Sequence, residues 1–134
     1  MGASVSVELK VTVSGLTNQD NDIIYKFTHG DTPAEFYHQY AVIGNSAADL
    51  KIGDIDEQKL RGVLIIAKSG NVGILVNDDG TGTPSLTEGN QVLVAGEACY
   101  INLSGSTGGL EDTNVIRIIG SVATAAIEYF CWGE

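Results

Sequence analysis

The chain has 134 residues, with 17 Asp and Glu against 7 Lys and Arg, a formal net charge of -10. That length suits one domain with its own core. The acidity argues against a nucleic-acid partner held through a positive surface, and against a polybasic membrane anchor. A hydrophobic fraction of 43% keeps the chain on the ordered side of the disorder boundary despite its charge.

Alternation dominates from the start. Val5, Val7, Leu9, Val11 and Val13 fall on one side of an extended segment, and Ser4, Ser6, Glu8, Lys10 and Thr12 on the other. This period of two predicts a long half-buried strand with a wet face. The N-terminus therefore reads as part of the fold and not as a leader; Gly2 and Ser6 match a myristoylation pattern only loosely. Residues 14–22 carry turn chemistry, and 23–28 read as a second strand. Residues 32–40 admit a short helix capped by Thr32 with Pro33 at its first position. The aromatics and the apolar continuation to Ile43 favour an extended segment there.

A short alternating piece at 48–52 and a polar connection at 54–61 follow. Residues 63–68 and 72–77 predict two apolar strands in a hairpin around Ser69-Gly70-Asn71, placed between two layers or at a subunit contact because neither alternates cleanly. After a Pro84-containing loop, turns at 88–90 and 104–114 separate further strands at 91–95, 99–103, 114–119 and 123–132. There is no room for helical crossovers. The sequence predicts an all-β chain: one domain over residues 1–134, an antiparallel β-sandwich of eight or nine strands, jelly-roll-like. No apolar run approaches the roughly 20 residues of a spanning helix.

Chemistry-bearing constellations are sparse. His29 and His38 lack the spacing of a zinc pair, and no cofactor is expected. Gly105-Ser106-Thr107-Gly108 matches a nucleophile elbow only in composition. Residues 77–82 (NDDGTG) offer oxygen ligands around a tight turn, as in half a calcium loop, but the glycine register of an EF-hand fails; residues 18–22 are a weaker case. Ordinary turn formation by Asp and Gly is the simpler account. Cys99 and Cys131 lie in apolar segments, as buried thiols or a single disulfide. Glu128, in the row of Phe130 and Trp132, implies an edge position or a charged partner. The aromatics Phe36, Tyr37, Tyr40 and Trp132 are candidate interface anchors, and the cluster at 36–40 also suits a sugar platform.

Three stretches carry a resemblance: 50–55 leading into 62–70 and 72–74, then 86–89 leading into 91–95, then 115–118 with Gly120, 123–125 and 127–129. Over roughly the last two-thirds of its length the chain resembles the small all-β structural proteins of tailed bacteriophage particles, the head decoration, head fibre and tail accessory proteins. It departs from them at Glu88-Gly89, where the expected proline and glycine order is missing and Pro84 stands further upstream. The resemblance implies a non-enzymatic virion protein that forms homo-oligomers and attaches to other virion proteins such as the major capsid protein. It implies assembly in the bacterial host cytoplasm, with no direct nucleic-acid or membrane partner. The competing reading is a carbohydrate- or receptor-binding module of a head fibre or tail, with a glycan as partner.

Overall fold

A computed structural model describes residues 3–15, 21–30, 32–87, 91–104 and 109–134. The expectations for Gly2, for the turn and calcium ligands among residues 16–20, for the turn at 88–90 and for the elbow-like 105–108 lie outside these residues. The chain divides into two compact units, Met1–Pro33 and Ala34–Glu134, where the sequence reading treats 1–134 as one domain. Alternation shows which residues share a face. It carries no information on which sheet a strand joins.

The first unit holds two antiparallel strands, β1 (Ser6–Val13) and β2 (Asn21–Thr28). Residues directly opposite each other share a face. Val7 stands against Phe27, Leu9 against Tyr25 and Val11 against Ile23, so this stretch of one face is apolar, with Val13 against Asn21 at its end. The other face pairs Ser6 with Thr28, Glu8 with Lys26 and Lys10 with Ile24.

Among its described residues the second unit contains eight strands: β3 (Glu35–Val42), β4 (Ala48–Asp49), β5 (Leu60–Ser69), β6 (Val72–Asp78), β7 (Gln91–Leu93), β8 (Ala98–Asn102), β9 (Val115–Gly120) and β10 (Ala126–Gly133). The 35–42 segment is thus extended throughout, and the helical alternative is not adopted. One 3-10 turn, Glu57–Lys59, interrupts the polar connection, capped by Asp56, whose carboxylate accepts the Gln58 amide at 2.9 Å. Two antiparallel sheets result, in the orders β3-β10-β5-β8 and β4-β9-β6-β7. The all-β antiparallel expectation holds.

One local expectation fails. β5 and β6 are not a hairpin: β5 pairs with β10 and β8, and β6 pairs with β9 and β7. Gly70, at φ 70°, turns the chain from one sheet into the other. A Cβ there would press on Val122 and Ala125, so the turn needs glycine for both reasons. The same short turn serves a hairpin or a crossing between layers, and only the pairing partners decide.

Both sheets feed a single buried cluster. Val63, Ile65, Ile127, Tyr129 and Cys131 come from the first sheet, and Val72, Ile74, Leu93, Ile116 and Ile118 from the second. Leu50, Ile55, Leu60 and Leu110 complete it. The inward row of β10 is therefore Ile127, Tyr129 and Cys131, which leaves Glu128, Phe130 and Trp132 on the outer face.

Candidate interaction surfaces

The outer face of the β3-β10-β5-β8 sheet gathers most of the aromatic residues singled out by the sequence. Cross-strand register sets Phe36 beside Trp132 and Gly62, His38 beside Phe130 and Leu64, and Tyr40 beside Glu128 and Ile66. Phe36 and Tyr40 are exposed, at 51% and 58%, and Val42 follows them on the same row of β3 at 69%. The Phe36 and Phe130 rings lie 5.6 Å apart, near enough to interact.

The other two proposed anchors are placed differently. Tyr37 turns inward against the core cluster, its ring 5.9 Å from that of Tyr129. Trp132 has no exposed surface. Its indole N–H donates to the Tyr100 hydroxyl at 3.0 Å, lying over Gly62, where a Cβ would overlap both Trp132 Nε1 and the Tyr100 oxygen. Trp132 therefore supports the sheet, and Phe36 and Tyr40 are the aromatics that a partner would meet. A glycine inside an apolar strand is the sequence signal for such a close approach.

Glu128 sits on a central strand and meets its charge requirement locally. Its two oxygens face His38 Nε2 at 3.4 Å and Lys68 Nζ at 3.6 Å. Glu128 and His38, with Leu64, Ile66, Tyr129 and Phe130, line a shallow depression of about 90 Å³, far below the roughly 300 Å³ at which ligand pockets begin. A larger hollow of about 270 Å³ lies among Leu50, Ile52, Leu110 and Ile116; its carboxylate, Glu57, already accepts the Thr113 amide at 3.0 Å.

The carboxylates of the 77–82 loop are committed to the loop itself. Asp78 accepts the amides of Gly80 and Gly82, both at 2.9 Å. Asp79 accepts the Thr81 amide at 3.0 Å and its hydroxyl at 2.5 Å, and the hydroxyl bond first, then the amide bond, lowers the Asp79 pKa. Asn77, at φ 61°, accepts the Glu111 amide at 2.8 Å. Arg117 fastens the loop from β9: Nε donates to the Gly82 carbonyl at 3.0 Å and a terminal nitrogen to Asp49 at 2.6 Å. The Asp78 and Asp79 bonds close the turn, and those of Asn77 and Arg117 tie it to the rest of the unit. Among the described residues no group of three or more His, Cys, Asp or Glu is placed to hold a metal ion.

Both cysteines are free thiols. Cys131 is fully buried, Cys99 partly so, and burial raises their pKa values to about 12 and about 11. Such thiols are inert at neutral pH. His29 is buried in the first unit, its amide donating to the Val5 carbonyl at 2.9 Å and its ring 5.2 Å from that of Phe27.

Exposed apolar residues also adjoin on the hairpin. Leu9, Val11, Ile23 and Tyr25, adjacent on one face, are 48%, 56%, 63% and 62% exposed. The alternation predicts that the valine row of β1 is the buried face of a half-buried strand, whereas Leu9 and Val11 on that row are exposed. The contribution of β2 to that face depends on the register and was not legible. Compared with family models, curated proteins and solved structures, the chain matches none.

Proposed function

We propose that the chain is a non-enzymatic structural protein of a virus particle, a capsid decoration or accessory protein. It acts by self-association and by attachment to a larger protein shell such as that of the major capsid protein. This is the function its resemblance to phage structural proteins implies, with assembly in the host cytoplasm and residence on the virion. We read the Ala34–Glu134 unit as a jelly-roll β-sandwich. Its strands pair in nested antiparallel fashion, β3 with β10, β4 with β9, β5 with β8 and β6 with β7. Alternate pairs fall in opposite sheets, as when a four-pair ribbon is rolled up. Jelly rolls are common among viral capsid and lectin domains, so the topology supports the reading without fixing it.

The observation that carries the proposal is the apolar strand surface left in water. Among the described residues, eight large hydrophobic side chains that are at least 48% exposed lie on the hairpin or along one row of β3. Contiguous exposure of this kind marks a protein-contact face. The polar groups, by contrast, close turns and bridge strands.

Light scattering of the purified chain with a parallel glycan screen tests the proposal. Concentration-dependent association without glycan binding is the expected result. A monomer at every concentration that binds a defined glycan overturns it in favour of a lectin-like module, for which exposed Phe36 and Tyr40 are the platform.

A further inference from the structure

We propose that the apolar face of the β1–β2 hairpin is an isologous contact, docking against the same face of a second copy of this chain. The inference rests on the self-association reading and specifies the surface and the partner.

A two-stranded hairpin has one layer. By itself it is marginal in water, because neither face is removed from solvent. Here the two faces are sharply unlike. One carries Glu8, Lys10, Asp22 and Lys26, with Lys26 3.3 Å from Glu8 and Lys10 3.4 Å from Asp22, and the Ser6 and Thr28 hydroxyls 2.8 Å apart. That is a finished, solvated surface. The opposite face presents Leu9, Val11, Ile23 and Tyr25 with no charged group among them.

Charge selects the occupant. Residues 1–33 contain four acidic and two basic side chains, a net of -2, so residues 34–134 carry the other -8 of the total -10. Face-to-face docking of two such faces buries no charge. The patch has no charged group with which to recognise a charged partner, and every copy supplies the same self-complementary surface. Area agrees. Four side chains that are 48% to 63% exposed make a small face, suited to a contact near the floor of about 1,000 Å² in total for a specific interface. Sheets stacked about 10 Å apart would form a two-layer, four-stranded contact. Affinity on the order of micromolar follows from so small an area.

Sedimentation velocity of the full chain tests this in three forms: wild type, Val11→Asp on the apolar face and Ile24→Asp on the solvated face. Both positions are more than half exposed, so both substitutions burden the hairpin alike. Val11→Asp should raise the dissociation constant at least 100-fold and Ile24→Asp less than threefold. As a second readout, oxidation should link Val11→Cys chains into covalent dimers and leave Ile24→Cys chains unlinked. If the wild type associates and both Asp variants behave alike, or association runs on into open-ended assemblies, the isologous hairpin contact is wrong while self-association stands. A monomeric wild type overturns both.

Discussion

Gly62→Ala is the sharpest probe of the β3-β10-β5-β8 sheet. The added methyl overlaps the Tyr100 hydroxyl oxygen and Trp132 Nε1, two rigid ring groups, one of them without exposed surface. Overpacking of this kind costs about 1–3 kcal/mol. Parting the indole from the tyrosine hydroxyl adds about 1 kcal/mol. Against this, replacing glycine restricts the unfolded chain and returns about 0.5–1 kcal/mol. The net loss is about 2 kcal/mol, a fall in Tm of roughly 10 °C for a unit of about 100 residues. Trp132 is the sole tryptophan, so its fluorescence reports this locus directly during thermal or urea unfolding. An unchanged emission maximum together with equal or greater stability would refute the argument that Gly62 makes room for the indole.

Three further outcomes follow from the same geometry. Arg117→Met removes the bonds to Gly82 and Asp49 and should cost about 1–2 kcal/mol in urea unfolding, whereas Asp49→Asn, at the exposed end, should cost less than about 1 kcal/mol. Thr113 holds a φ of 67°, strained for a β-branched residue, so Thr113→Asn should gain about 0.5–1 kcal/mol and raise Tm by a few degrees. The thiols set an alkaline limit. Their folded pKa values, about 11 for Cys99 and about 12 for Cys131, exceed the ordinary 9.0, so the unfolded chain loses these protons first. Stability from this source is full below pH 9 and falls as pH rises, from 9 towards 12 by up to about 1.4 kcal/mol per pH unit for buried Cys131, and from 9 towards 11 by less for partly exposed Cys99. Urea titrations between pH 7 and 11 check this, and Cys131→Ser should flatten the decline.

The strands themselves were legible because their physics is local. Alternation located β1, and aromatic and β-branched content carried the extended reading across 35–42, where Pro33 and Glu35 would also have suited a helix. What sequence could not supply was the identity of each strand's neighbour. The Ser69-Gly70-Asn71 turn fits a hairpin as well as a crossing between sheets, and the poor alternation of β5 and β6 reflects partial burial of both faces. Trp132 was marked as an interface anchor on residue type alone. Its burial is set by Gly62 and Tyr100, which are 70 and 32 positions away and adjacent only through the β10-β5-β8 register. For Glu128 the chemical requirement was clear and the partners were not, since His38 and Lys68 arrive from two different strands.

Self-association is read out by sedimentation equilibrium of the full chain across the micromolar range. The weight-average mass should climb with concentration from 14.1 kDa towards at least twice that value. A mass that stays at 14.1 kDa throughout would contradict self-association.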